Sequence, residues 1–142
     1  MFSLSHLHPM LVHFPIALVT FGFVAELASF IFKKEVCMSY TSFYLLIIGT
    51  LSALAALLAG VFLTAEMSGA AGAVKETHET LAWITLGLLS ATSLLRIFLK
   101  VQNMECTNYK WVAFVLYGLA MLSVSATGFY GGTLVYSFMM PL

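Results

Sequence analysis

The sequence predicts an all-α integral membrane protein, a four-helix bundle with both termini on the outer side of the membrane. Hydrophobic residues make up 61% of the 142 residues and charged residues only 8%, whereas a soluble domain is about half apolar and about a quarter charged. Six basic and six acidic side chains cannot cover a soluble fold of this length. The apolar composition indicates membrane lipid as a partner, and the formal net charge of zero gives no indication of a nucleic-acid partner.

Four apolar segments are long enough to cross a bilayer, which takes about 20 residues. They cover residues 10–32, 40–65, 78–100 and 110–131. The gaps leave no room for a soluble domain, so residues 1–142 are expected to form a single transmembrane domain. Continuous apolar runs argue against a β-barrel, whose strands alternate apolar and polar residues. No basic residue precedes the first segment, which indicates a permanent span rather than a signal peptide.

The basic residues predict the orientation, because cytoplasmic loops are enriched in lysine and arginine. Five of them flank the first and third gaps, namely Lys33, Lys34, Arg96, Lys100 and Lys110, and only Lys75 lies in the second gap. The first and third gaps are therefore expected in the cytoplasm. Cys37 and Cys106 lie in these gaps, on the reducing side of the membrane, so no disulfide between them is expected.

All four histidines are predicted to lie at the outer end of the bundle. His6, His8 and His13 precede or begin the first span, and His78 begins the third. Imidazole can bind haem iron or a metal ion, carry protons, or form structural hydrogen bonds. His13 and His78 lie at similar depth on two spans, and small residues below them would leave room for a flat ring. They are the expected axial ligands of a b-type haem, with His8 as a further residue of the haem site.

Two prolines bear on the direction of these side chains. His8 and His13 are five residues apart, so on one regular helix they point about 140° apart. Pro9 suits a first helical position, and Pro15 removes a backbone hydrogen bond. The resulting kink is expected to turn His13 into the bundle and leave His8 at the interface. Two alternatives stay open: a zinc, iron or copper site that combines the histidines with Glu66 or Glu79, and purely structural hydrogen bonds.

Small and polar residues at helical spacing predict the packing faces. The second span carries Gly49, Ala53, Ala56, Gly60 and Thr64 on one face, and the third carries His78, Ala82, Thr85, Leu89, Thr92 and Arg96. Glu26 of the first span lies near the depth of Arg96, which predicts an ion pair inside the bundle. The alternative is that Arg96 extends to the lipid headgroups. Thr77 is expected to cap the third helix, and Gly131 and Gly132 are expected to end the fourth.

The segment HPMLVHFPIAL at residues 8–18 resembles the opening motif of the bacterial family filed as domain of unknown function 2231. His78 looks like the family's histidine after the second loop, and GGTLVY at 131–136 looks like its glycine-rich closing segment. Relatives often carry an acidic loop after the second span, where this chain reads TAEMSGAAG and offers Glu66. The resemblance implies four spans in the bacterial inner (cytoplasmic) membrane. Some members occur beside redox proteins such as Rieske-type domains, which implies electron transfer.

Three functions follow, in this order. The first is a small redox subunit, not an enzyme on its own, that passes electrons within a membrane complex. Its haem b would exchange electrons with a quinone, with other membrane subunits or with a periplasmic redox protein. The second is a cofactor-free assembly subunit of a larger membrane complex. The third, transport of a metal or small solute, is disfavoured because the spans hold few polar residues and no evident inverted repeat.

Overall fold

The computed structural model describes residues 7–32, 36–104 and 108–138. Its helices are α1 (Leu7–Leu11), α2 (His13–Ile31), α3 (Val36–Leu63), α4 (Gly69–Val101) and α5 (Tyr109–Tyr136). By length and composition, four segments of the described residues can cross a membrane: Leu7–Ile31, Cys37–Leu63, Gly69–Val101 and Tyr109–Tyr136. The prediction of an all-α membrane protein with four spans is confirmed.

The hydrogen-bond ladder of the first span is interrupted at Val12, between α1 and α2, although Val12 itself keeps helical dihedral angles. Pro15 has no amide hydrogen to donate to the Leu11 carbonyl, so the regular ladder of hydrogen bonds breaks here. The Val12 amide still donates to the His8 carbonyl oxygen at 3.1 Å, and the helix resumes at His13. Pro9 is the third residue of α1 rather than the first, a position that loses no bond because the first four amides of a helix have no intrahelical acceptor.

The third span begins nine residues before its expected start. The alanine-rich segment after Gly69 is already helical, because alanine has the highest helix propensity. Thr77 therefore lies inside α4, where its hydroxyl donates to the Ala73 carbonyl oxygen at 3.0 Å, and it does not cap the helix. At the other end of the chain, α5 continues through Gly131 and Gly132 to Tyr136.

The chain consists of two equivalent helical hairpins. The first is α1, α2 and α3, the second is α4 and α5, and the closest packing lies within each hairpin. The buried face of α2 is Pro15, Val19, Gly22 and Glu26, and that of α4 is Thr85, Leu89, Thr92 and Arg96, each 70 residues later. The second helices of the two hairpins match in the same way, because four buried positions of α3 recur in α5 71 residues later. They are Ser42, Leu46, Gly49 and Ala53 in α3, and Ala113, Tyr117, Ala120 and Val124 in α5. The two hairpins run in the same direction, which makes them a parallel repeat.

An apolar core occupies the middle of the bundle and separates two polar ends. Its buried residues come from four helices: Val19, Leu46, Ala53, Leu89, Tyr117, Ala120 and Val124. His8 and His78 lie on one side of this core, at what we call the histidine end. Glu26 and Arg96 lie on the other side, at the ion-pair end. Large apolar side chains such as Phe21, Phe62 and Leu94 face outward, as a lipid environment requires.

Candidate functional site

Two half-buried histidines face each other between the hairpins. The ring centroids of His8 and His78 are 6.0 Å apart, and the ring planes are inclined by 83°. The two residues are equivalent, since His78 follows His8 by 70 residues. Their meeting between the hairpins is the arrangement that a pseudo-twofold axis produces.

Each imidazole is fixed in the same way by the second helix of its own hairpin. His8 Nδ1 lies 2.9 Å from the Ala56 carbonyl oxygen, and His78 Nδ1 lies 2.9 Å from the Thr127 carbonyl oxygen. Because a carbonyl oxygen only accepts, both Nδ1 atoms must carry the hydrogen. In the neutral ring the lone pair is then on Nε2. Neither Nε2 has a hydrogen-bond partner among the described residues.

A glycine makes room for each ring. Gly60 follows Ala56 by four residues, and Gly131 follows Thr127 by four. A Cβ atom would lie 2.9 Å from His8 Cε1 if added at Gly60, and 3.1 Å from His78 Cε1 if added at Gly131. Both distances are below ordinary van der Waals contact. Each glycine therefore lets the neighbouring ring reach the carbonyl oxygen of the residue one helical turn before it, which is Ala56 or Thr127.

The histidine pair borders a largely apolar cavity. Its volume is about 380 Å³, within the usual range of small-molecule sites. Small side chains line much of it, including Ala53, Ala56, Ala82 and Gly128. Its lining is mainly apolar and includes the His8 and His78 imidazoles, which suits a hydrophobic group that needs one or two nitrogen ligands.

A hydroxyl cluster supports the site between α4 and α5. Thr85 Oγ1 lies 2.7 Å from Ser123 Oγ and 3.1 Å from Thr127 Oγ1. Thr127 Oγ1 also donates to the Ser123 carbonyl oxygen at 2.8 Å. The cluster ties the helix that carries His78 to the helix that supplies its carbonyl acceptor, and so fixes the depth of the ring.

The match to known proteins covers almost the whole chain. The model of a family described as a predicted membrane protein, DUF2231, matches residues 5–140. The chain belongs to this family. No curated protein and no solved structure matches the chain. The family assignment supports a membrane protein and leaves the chemistry of the site to be argued from its geometry.

Within the family segment at residues 8–18, the structure reverses the expected directions of the two histidines. His13 is exposed, its Nδ1 lies 2.7 Å from the Pro9 carbonyl oxygen of the preceding turn, and it only borders the cavity. His8, expected at the interface, is the residue that faces His78. The reason is the helical period: Val12 keeps helical dihedral angles, so His8, seven residues before the buried Pro15, lies on the buried face of the span and His13 does not.

The alternative metal site of histidines and glutamates is not assembled. Lys75 Nζ lies 3.3 Å from Glu66 and 3.1 Å from Glu79, so both carboxylates are engaged by a lysine. Over the described ranges no three histidine, cysteine or acidic side chains are grouped for a metal ion. His6 and Cys106 lie outside the described residues, and Cys37 is exposed.

Glu26 and Arg96 meet at the opposite end of the bundle. Arg96 Nη1 donates to Glu26 Oε1, and their side chains are 4% and 0% exposed. Arg96 thus points into the bundle rather than toward the headgroups. These residues occupy equivalent positions of the two hairpins, as the two histidines do. This ion pair joins the two hairpins at the end of the bundle opposite the histidine pair.

Proposed function

We propose that this protein is a small membrane redox subunit that holds one b-type haem between His8 and His78. The lysine and arginine distribution favours a position of the histidine end on the periplasmic side of a bacterial inner membrane. The proposal rests on one observation: two imidazoles from the two hairpins face each other, each with Nδ1 tied to a carbonyl oxygen and Nε2 free. His8 takes the role that the sequence had indicated for His13.

The spacing of the rings supports a metal-bound pair. An imidazole nitrogen binds a transition metal at about 2.0 Å, and the ring centroid lies about 1.1 Å behind it, so two in-line imidazoles have centroids about 6 Å apart. The observed separation is 6.0 Å, with the ring planes inclined by 83°, so the spacing is compatible with a pair of imidazoles that would hold one metal.

The same spacing argues against a quinol held between the two rings. The two oxygen atoms of a quinol are about 5.5 Å apart, and each would form a hydrogen bond of about 2.8 Å to one imidazole. The two imidazole nitrogens would then lie about 11 Å apart. The rings are much closer than that. A quinone therefore enters the proposal as an electron donor outside the histidine pair, with another membrane subunit or a periplasmic redox protein as acceptor.

The residues of the chain would bind and orient the group. His8 and His78 would supply the nitrogen ligands, and the Ala56 and Thr127 carbonyl oxygens would fix the ring tautomer and increase the basicity of Nε2. Small residues such as Ala82 and Gly132 would leave space for a flat ring. Bound haem supplies reversible one-electron transfer.

An optical spectrum tests the proposal. Protein purified from haem-supplied cells and reduced with dithionite should give sharp α and β bands of a b-type cytochrome. The variants His8→Ala and His78→Ala should lose these bands, whereas the exposed control His13→Ala should keep them. Loss in His13→Ala but not in His8→Ala would contradict the assignment of ligands. A featureless wild-type spectrum, with no metal in elemental analysis, would instead favour a cofactor-free assembly subunit.

A further inference from the structure

Three buried polar atoms at the ion-pair end lack a hydrogen-bond partner among the described residues. They are Glu26 Oε2, Ser42 Oγ and Tyr117 Oη. Glu26 and Ser42 are 0% exposed and Tyr117 is 1% exposed. A buried polar atom without a partner costs more free energy than a typical hydrogen bond contributes. Native proteins rarely keep such atoms unless a bound water or ion completes the site.

The packing of α2 on α3 places Ser42 opposite Glu26. A Cβ added at Gly49 would lie 3.0 Å from Val19 Cγ2, so these two residues mark one level of the contact. Glu26 follows Val19 by seven residues, and Ser42 precedes Gly49 by seven. Seven residues are close to two helical turns, so both side chains return to the same face. In this antiparallel pair they therefore reach the same level.

The hydroxyl of Tyr117 enters the same space from α5. Its Oη atom lies 2.0 Å from the position that a Cβ at Gly22 would occupy. Gly22 is one turn before Glu26 on the buried face of α2, and such neighbours have Cβ positions about 5–6 Å apart. The three unpartnered atoms thus converge on one region. None of them hydrogen-bonds to another described residue, and a water molecule among them could bridge groups that do not bond directly.

We propose that this region is an internal hydration site, in which one or two water molecules bridge Glu26 Oε2, Ser42 Oγ and Tyr117 Oη. Water can donate a hydrogen bond to the carboxylate and can donate to or accept from either hydroxyl. Bound water would therefore give each of the three groups a hydrogen-bond partner. A metal cation fits less well, because Arg96 already neutralises Glu26. The site lies beyond the apolar core from the histidine pair and does not depend on haem.

Radiolytic hydroxyl labelling in water enriched in ¹⁸O tests the site on the wild-type protein. Bound water generates hydroxyl radicals in place, so a buried tyrosine next to it is labelled although bulk solvent cannot reach it. We expect Tyr117 to be labelled at a rate comparable to that of Tyr109, which is 57% exposed, and Ser42→Ala to lower that rate. An unlabelled Tyr117 in the wild-type protein would overturn the proposal.

A double-mutant cycle provides a second test. If Ser42 and Tyr117 share a water, Ser42→Ala and Tyr117→Phe should be coupled by threefold or more in the unfolding equilibrium constant in detergent, which is roughly the effect of one hydrogen bond. Ser52→Ala is the matched control on α3, because Ser52 Oγ donates to the Gly49 carbonyl of its own helix at 2.8 Å. It should combine additively with Tyr117→Phe. Additivity of the Ser42 pair as well would refute a shared water.

Discussion

Replacing Gly60 with alanine should displace the His8 ring from its carbonyl acceptor. The added Cβ would lie 2.9 Å from His8 Cε1, and an ordinary carbon–carbon contact is about 3.5 Å or more. The ring must therefore move by about 0.6 Å. If it moves away from α3, the Nδ1–oxygen distance of 2.9 Å grows to about 3.5 Å, which is beyond a normal hydrogen bond.

The energetic terms can be compared directly. Loss of the His8 hydrogen bond costs about 1 kcal/mol, and overpacking of a filled space costs about 1–3 kcal/mol. Alanine returns about 1 kcal/mol through its higher helix propensity. The net expectation is that Gly60→Ala lowers the free energy of unfolding by about 1–3 kcal/mol.

The assay is reversible unfolding in mixed detergent followed by circular dichroism, with ¹⁵N NMR of the histidine rings to monitor the Nδ1 hydrogen bond. Gly87→Ala is the matched control, because a Cβ added there meets nothing within 4 Å. That variant should be as stable as the wild type or more stable. If Gly60→Ala matches Gly87→Ala in stability and keeps the His8 hydrogen bond, the proposed role of the glycine is refuted.

Two further predictions concern polar contacts between helices. Arg96→Ala should lower the free energy of unfolding by about 3–5 kcal/mol, because it leaves Glu26 buried without its cation. The double variant Glu26→Leu with Arg96→Leu should recover most of this loss, and equal stability of the single and double variants in a detergent unfolding titration would contradict the ion-pair argument. Thr50 Oγ1 and Ser93 Oγ lie 2.8 Å apart across α3 and α4. Their coupling energy in a Thr50→Val and Ser93→Ala cycle should be about 0.6 kcal/mol, as for other hydrogen bonds between membrane helices, and a value of zero would show that the bond does not form in detergent.

The number and type of the helices were predictable because lipid imposes a simple rule on the sequence. A span must be long and apolar, and all four spans satisfy this. The inward face of α4 was also predictable, because Thr85, Thr92 and Arg96 recur at the helical period and polar groups avoid lipid. The meeting of Glu26 with Arg96 follows from their similar depth.

The prediction of His13 as the inward histidine was wrong because it relied on a kink in the first turns of the span. The span instead keeps its helical period through Val12, so His8, seven residues before the buried Pro15, lies on the inward face. Gly60 and Gly131 looked like a packing surface and a helix end. Their role beside the two rings becomes visible only when the carbonyl oxygens of Ala56 and Thr127 are located.

The repeat escaped the sequence because the equivalent positions on the buried faces of the helices differ in residue type. Pro15 corresponds to Thr85, and Ser42 to Ala113. A buried position in lipid accepts any small or apolar residue, or a polar one that finds a partner. The features that reveal the repeat are a histidine in each hairpin, the glycine beside each ring, and an opposite charge in each.

The opposite charges at equivalent positions determine which hairpins can pair with each other. Two copies of the first hairpin, related by the same axis, would bring Glu26 beside Glu26, and two copies of the second would bring Arg96 beside Arg96. Both self-pairings bury like charges, which is costly, whereas the mixed pairing neutralises them. Each hairpin therefore pairs with the other hairpin in preference to a second copy of itself. The connecting segment at residues 64–68 therefore keeps the two hairpins close together but does not decide which hairpins pair. Hairpins produced as separate chains should form the complex that contains one copy of each.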